Sequence, residues 1–381
     1  MQLMTPRVRG TWTILFIFGT RPEAIKLAPL IRRLASMPEL YAVRICVTAQ
    51  HRGLLDQVLD AFAITPDFDL DIMTPAQTLA QSASRIIAAL DPVIAEVNPD
   101  LTMVQGDTTT TFCGALAACY RHVPVAHVEA GLRTGDPGQP FPEELNRTLV
   151  SRIAALHFAP TERAAENLAR ENVPGRVLIT GNTGIDSVLY IRDRLDQGEI
   201  TRSTPIDSGG KRIVLVTAHR RESFGAGFER ICRAIAAIAD RGDVHVVYPV
   251  HPNPNVQDPV NRLLRSHSNI TLIEPLDYVP FVDLMRRASI ILTDSGGIQE
   301  EGPSLGKPIL VLREKTERPE AVEAGTVKLV GTDPERIVRE AAALLDDPAE
   351  YQRMSRIHNP YGDGHASERI ELAIREFFGR V

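Results

Sequence analysis

Short apolar runs rich in β-branched residues alternate along this chain with longer segments whose apolar positions recur every three to four residues. In the first half the runs Ile14–Phe18, Val43–Thr48, Leu101–Gln105, Val123–Val128, Leu156–Ala159 and Val177–Thr180 read as strands. Leu79–Val97 and the Ala-rich Thr110–Tyr120 read as helices between them, and Pro29 is expected to kink the helix that follows the first strand. Between Arg192 and Arg212 the pattern stops in a polar stretch with a Pro and a Gly pair, which reads as a linker. It restarts with Ile213–Thr217, Val244–Val250, Ile270–Glu274, Ile290–Thr293, Ile309–Leu312 and Val327–Val330 as strands. Strand–helix alternation of this kind predicts parallel sheets with helices on both faces. The expected fold class is therefore α/β: two doubly wound Rossmann-like domains, at 12–190 and 211–360, facing across a cleft that would take the ligand. The last helix, within 365–381, is expected to rejoin the first domain.

Composition changes this picture little. A length of 381 residues exceeds one comfortable core, and 44% hydrophobic with 24% charged residues is ordinary for a soluble globular protein. The net charge of −6 supplies no general attraction to nucleic acid or to an anionic membrane. The four cysteines form no C-x-x-C pair and lie among apolar residues, as buried thiols in a reducing compartment do. Ile14–Phe18 is too short to span a membrane and no small-residue cleavage site follows it, so a cytoplasmic location is expected.

Candidate chemistry gathers at strand ends. The first strand runs into "FGTRPEAIKLAPLI", where Gly19 permits the turn and Pro22 suits the helix start. Arg21 and Lys26 sit there against the helix dipole, either as solvated surface charges or as ligands for an anion. Three carboxylates, Asp107, Glu129 and Glu143, lie at or just beyond strand C-termini, where open parallel sheets bind ligands. Singly each could cap a helix, and Asp107 precedes a Thr-rich helix start. Together they suit acid–base chemistry or a divalent metal. In the second half, His219, Arg220 and Arg221 follow a strand directly and resemble a diphosphate clamp. "GPSLG" at 302–306 follows a helix start, not a strand, so it is no nucleophile elbow. No dinucleotide fingerprint or P-loop is complete, so no hydride cofactor and no nucleoside triphosphatase site is expected.

"TDSGGIQEE", residues 293–301, follows an apolar run and opens a helix. Backbone N–H groups of Ser295, Gly296 and Gly297 suit a phosphate there, yet Glu300 and Glu301 would repel it. Both acids could complement the helix dipole. Alternatively Glu301 could accept hydrogen bonds from a ribose beside the phosphate, which makes a nucleoside diphosphate the ligand that meets both demands.

These runs, with "TAQHRGLLDQVL", "VEAGLRTGD", "PFPEELNRTLVSRIA", "TAHRRESFG" and "NPYGDGHASERI", extend over nearly the whole chain. By them the chain resembles the non-hydrolysing UDP-N-acetylglucosamine 2-epimerases, related in fold to the two-domain GT-B glycosyltransferases. The resemblance implies that Arg21, His219, Ser295, Gly296 and Gly297 hold the diphosphate, Glu301 the ribose and Phe281 the uracil. Lys26, Asp107, Glu129, Glu143, Arg147 and Arg318 would surround the sugar. Gln50, His51, Arg52, Gln77 and Arg220 would receive a second UDP-N-acetylglucosamine as activator. It further implies a homodimer, no cofactor and a role in cell-envelope polysaccharide biosynthesis.

The C2 proton of the sugar is not acidic, so the implied reaction expels UDP from C1 while a base removes that proton. UDP then re-adds to the 2-acetamidoglucal with protonation from the opposite face. The acid and base among Asp107, Glu129 and Glu143 stay open. So do a 2,3-diacetamido uronic acid substrate, a hydrolysing relative that releases UDP, a glycosyltransferase and a nucleotide-sugar sensor without turnover.

Overall fold

The computed structural model describes residues 10–48, 52–72, 77–200 and 206–379. The chain divides into two compact units, Met1–Ser187 with Gly362–Val381, and Val188–Tyr361.

In the first unit β1 (Trp12–Phe18), β2 (Tyr41–Val47), β3 (Phe68–Asp69), β4 (Leu101–Gln105), β5 (Val125–Val128), β6 (Leu156–Ala159) and β7 (Arg176–Ile179) form one parallel sheet in the order β3-β2-β1-β4-β5-β6-β7. Ile14 to Phe18 in β1 are fully buried, as a central parallel strand covered on both faces requires. The two-residue edge strand β3 was not expected; its surroundings, "ITPDFDLDI", carry no run of β-branched residues. In the second unit β8 (Arg212–Thr217), β9 (Val244–Pro249), β10 (Ile270–Ile273), β11 (Ile290–Thr293), β12 (Ile309–Val311) and β13 (Val327–Leu329) form a parallel sheet in the order β10-β9-β8-β11-β12-β13. Each sheet starts in its middle, winds outward to one edge, and returns to build the other side. The reversal lies between β1 and β4 in one unit and between β8 and β11 in the other. Ligands bind doubly wound sheets at that reversal, beyond the strands' C-terminal ends.

The first helix, Arg21–Ala35, continues through Pro29. Proline removes the N–H that would bond the Ile25 carbonyl. The Ser187 hydroxyl donates to that carbonyl instead, which keeps the group satisfied. The polar stretch from Arg192 also begins differently from its reading. The helix Thr183–Asp196 carries on past it, because Val188, Ile191 and Leu195 on one helical stripe are buried. The final helix, Ala366–Phe377, lies in the first unit. Asp186 caps its start, accepting from the Ala366 and Ser367 amides at 3.2 and 2.8 Å. Buried Glu371 accepts from the Tyr41 hydroxyl at 2.9 Å and from Arg375, and Phe378 stacks on Trp12 at 4.6 Å between ring centroids.

Three cysteines are buried, and burial pushes the Cys46, Cys113 and Cys232 thiols up to about 12. Cys119, expected to be buried with them, is exposed in the last turn of the helix Thr109–Tyr120, with exposed Tyr120 beside it. No helix among the described residues is long and apolar enough to cross a membrane.

Candidate active site

The β1–helix turn is held by a residue the sequence reading passed over. Glu23 is fully buried. Its Oε2 accepts from the Gly19 and Thr20 amides at 3.1 and 2.8 Å, and its Oε1 from the Thr108 and Thr111 hydroxyls at 2.8 and 3.1 Å. Thr20 in turn caps the helix, a T-x-x-E capping box legible in "TRPE". Burial raises the Glu23 carboxyl pKa against these four donors. One side chain thus ties the turn after β1 and the helix it opens, which carries Arg21 and Lys26, to the loop after β4, with Asp107. Gly19 is obligatory at this junction: a Cβ would stand 2.2 Å from Thr48 Oγ1 and 2.7 Å from Thr110 Oγ1, a buried hydroxyl pair.

Beyond the C-terminal ends of β1, β4 and β5 four of the expected side chains come together in two pairs. Lys26 Nζ lies 2.5 Å from Glu129 Oε1, and the Gln105 side-chain amide donates to Glu129 Oε2. Glu129 follows β5 in a left-handed conformation, φ 63°, which turns its side chain toward Lys26 at a backbone cost that residues other than glycine seldom meet. Asp107 Oδ2 lies 2.7 Å from Arg147 Nη2, and the Asp107 carbonyl accepts from Asn146 Nδ2 at 2.9 Å. Those contacts pin the start of the helix Glu143–Ile153, whose first residue is Glu143. Thr108, not Asp107, caps the next helix. Glu129 and Asp107 each face a cation. Among the described residues no group of three or more His, Cys, Asp or Glu side chains is placed to hold a metal ion. Arg21 is half-buried at the first position of its helix.

His127, buried within β5, donates from Nε2 to the Gly106 carbonyl at 2.7 Å and so braces the turn before Asp107. Burial, reinforced by the charges of Arg133 and Arg147, pushes this imidazole down to about 3. Its folded pKa lies below the unfolded value, so protonation favours unfolding. Its contribution is whole above about pH 6.5 and is lost as pH falls toward 3, at about 1.4 kcal/mol per pH unit. Urea titrations at pH about 7.5 and 4.5 should therefore differ by about 2–3 kcal/mol more in the native chain than in His127→Gln, whose amide can still donate to Gly106. Parallel losses in the two proteins would show that His127 does not set the acid limit.

In the second unit His219 follows β8 and Asp294 directly follows β11, so both lie at that sheet's reversal. Asp294 is fully buried and its Oδ2 accepts from the His219 and Arg220 amides, both at 2.7 Å. Its Oδ1 stands 3.5 Å from His219 Nδ1. The His219 ring stacks on His251 with centroids 5.3 Å apart. Burial, with His251 and Arg220 adding positive charge, lowers the His219 pKa against the pull of Asp294. The three-cation cluster read from the sequence therefore has a neutral imidazole in it.

Ser295 stands at the N-cap position of the helix Gly296–Glu301 without a side-chain capping bond, and its own N–H donates to Thr293 Oγ1 at 2.9 Å. Gly296 and Gly297 remain as the amides of the first turn, where intrahelical partners do not exist. Glu300, read as a dipole complement or nothing, is buried and accepts from Arg318. Glu301 closes the helix, half-buried, and Phe281 is half-buried on the helix Tyr278–Arg287. Arg220 Nη2 lies 3.4 Å from Glu317, which also accepts from buried Arg313 at 2.6 Å, while Arg313 reaches Glu222 at 2.5 Å. Gln77 stands just before the cap of the helix Leu79–Val97. Gln50, His51 and the side chain of Arg52 lie outside the described residues. Asp294 and Arg313 carry no signal in one sequence, because their partners are set by which loops the sheet brings together.

Two doubly wound α/β units and the epimerases of known structure that share them place the chain among nucleotide-sugar enzymes of the GT-B-like class. The chain belongs to the UDP-N-acetylglucosamine 2-epimerase family, whose model matches residues 34–375. It is 56% identical over 371 residues to the UDP-N-acetylglucosamine 2-epimerase of Salmonella typhimurium, covering 96% of this chain and 98% of the relative. A putative UDP-N-acetylglucosamine 2-epimerase from Listeria monocytogenes superposes with a TM-score of 0.90 at 44% identity, over 97% of each chain. The Neisseria meningitidis UDP-GlcNAc 2-epimerase, solved bound to UDP-GlcNAc, does so at 0.86 with 47% identity, over 96% of this chain and 100% of that one.

Proposed function

We propose that this chain interconverts UDP-N-acetylglucosamine and UDP-N-acetylmannosamine without hydrolysis, by eliminating UDP to a 2-acetamidoglucal and adding it back. The observation that carries the reading is the pairing of Lys26 with Glu129 and of Arg147 with Asp107 at the reversal of one sheet. Elimination asks for a base at C2 and a held leaving group at C1, and return from the opposite face asks for a second proton carrier. Asp107, Glu129 and Glu143 supply the proton carriers, with Lys26 and Arg147 keeping two of them oriented. His219, Gly296, Gly297 and Arg21 hold the departing diphosphate, where positive and N–H groups offset the charge that develops. Glu301 takes the ribose and Phe281 the uracil, and Arg318, fixed by Glu300, reaches the sugar. Family membership and the UDP-GlcNAc bound in the Neisseria meningitidis enzyme support this assignment. Cytoplasmic location, a homodimer, activation by a second UDP-N-acetylglucosamine and service to cell-envelope polysaccharides complete the reading.

Incubation with UDP-N-acetylglucosamine in D₂O is expected to yield both UDP-sugars with deuterium at C2. Free UDP and free N-acetylmannosamine as main products would rule out the non-hydrolysing course. Exchange confined to a UDP-2,3-diacetamido uronic acid offered in parallel would move the substrate assignment to that sugar.

A further inference from the structure

His219 and Asp294 form a pair whose geometry is unfinished. Asp294 is fully buried, and its two oxygens are used unequally. Oδ2 takes the His219 and Arg220 amides at 2.7 Å, which fixes the rotation of the carboxylate about its own axis. Oδ1 is buried without a hydrogen-bond partner and points at His219 Nδ1 from 3.5 Å, beyond a good hydrogen bond. A buried acceptor left in this way carries a free-energy cost, which a donor at Nδ1 would relieve. The groups around the imidazole are Asp294 after β11, Arg220 beside it after β8, and His251 stacked on it after β9. Two of these are cationic or can become so, and burial adds to their effect, so the ring stays neutral while Asp294 is its only anionic neighbour among them.

We propose that Asp294 is a positioning residue for His219: it holds the imidazole as the Nδ1–H tautomer with Nε2 directed outward, and binding of a nucleoside diphosphate draws one proton from solvent onto Nε2. This rests on the reading that His219 meets the diphosphate. The step is balanced simply. Solvent supplies the proton, Nε2–H donates to a phosphate oxygen, and the resulting imidazolium lies between that anion and Asp294, with Nδ1–H closing on Oδ1. The charge then appears only when the leaving group is in place, and departs with UDP.

Asparagine tests the pairing sharply. The two amides require its carbonyl oxygen at the Oδ2 position, which turns its NH₂ toward Nδ1 and favours the opposite tautomer. UDP titrated calorimetrically into the full chain near pH 7.5, in buffers of differing ionisation enthalpy, is expected to bring about one proton per UDP bound. Asp294→Asn is expected to lose most of that uptake while UDP affinity falls about tenfold. In the unaltered chain with ¹⁵N-histidine, His219 should show a protonated Nδ1 and bare Nε2 before UDP, and two protonated nitrogens after it. That spectrum decides the matter even if Asp294→Asn does not fold. Uptake unchanged in Asp294→Asn, or no change in His219 protonation on UDP binding, overturns the proposal. A failure of the underlying site reading looks different: His219→Asn would then bind UDP as tightly as the native chain.

Discussion

Asp107→Asn is expected to cut deuterium incorporation at C2 of UDP-N-acetylglucosamine by about 10²–10⁴-fold, the range a positioned proton carrier contributes, while UDP binds within a few-fold of normal. The exchange of one oxygen for NH₂ preserves shape at the end of β4 but removes the ability to take and return a proton. Arg147 does not lose all compensation, since Glu144 lies 3.4 Å away on its other side. The Asp107 carbonyl keeps its bond from Asn146, so the loop and the helix Glu143–Ile153 stay joined. The groups assigned to UDP lie mainly in the second unit, where nothing changes. The expected signature is therefore a fall in kcat with KM little altered. Glu143→Gln should behave alike, being at the start of the helix that Asp107 anchors. Near-normal exchange in either variant removes that residue from the proton chemistry.

Glu23→Ala is expected to destabilise the first unit by about 3–4 kcal/mol, because two backbone amides and at least one threonine hydroxyl lose a buried acceptor together. Glu23→Gln should stay within about 1 kcal/mol of the native chain, as its oxygen can accept from the Gly19 and Thr20 amides while its NH₂ meets the hydroxyls of Thr108 and Thr111, which rotate to accept. The amide also avoids placing a charge where burial raises the carboxyl pKa. A group with a raised folded pKa binds its proton more readily when folded, so the native chain loses stability relative to Glu23→Gln as pH rises through that pKa. Urea denaturation followed by circular dichroism checks both statements. Equal losses in the two variants would mean that steric fit, not hydrogen bonding, governs this junction. Activity in Glu23→Ala should fall too, since Glu23 joins the start of the helix that carries Lys26 to the loop that carries Asp107.

Much of the architecture follows from local pattern. Runs such as Leu101–Gln105, Leu156–Ala159 and Ile290–Thr293 coincide with strands β4, β6 and β11, because continuous β-branched and apolar stretches bounded by turns suit a sheet covered on both faces. The pattern misses β3, which is too short to have one, and ends the helix Thr183–Asp196 too early, because its buried stripe outlasts the change to a polar average. Pro29 sits within a continuous helix with tertiary help, the carbonyl it orphans being satisfied by Ser187 from far along the chain.

The sequence by itself determined the two doubly wound units, the placement of polar residues at strand ends, and the run "TDSGGIQEE" as a helix start, all of which depend on neighbours in the chain. Tertiary structure alone decided which charges meet. It set Lys26 against Glu129, Arg147 against Asp107 and Arg318 against Glu300. It also gave Glu23 and Asp294 their work, since a buried carboxylate is defined by the donors that reach it, and here the hydroxyls at Glu23 and the amides at Asp294 come from segments about 75 to 90 residues away in sequence.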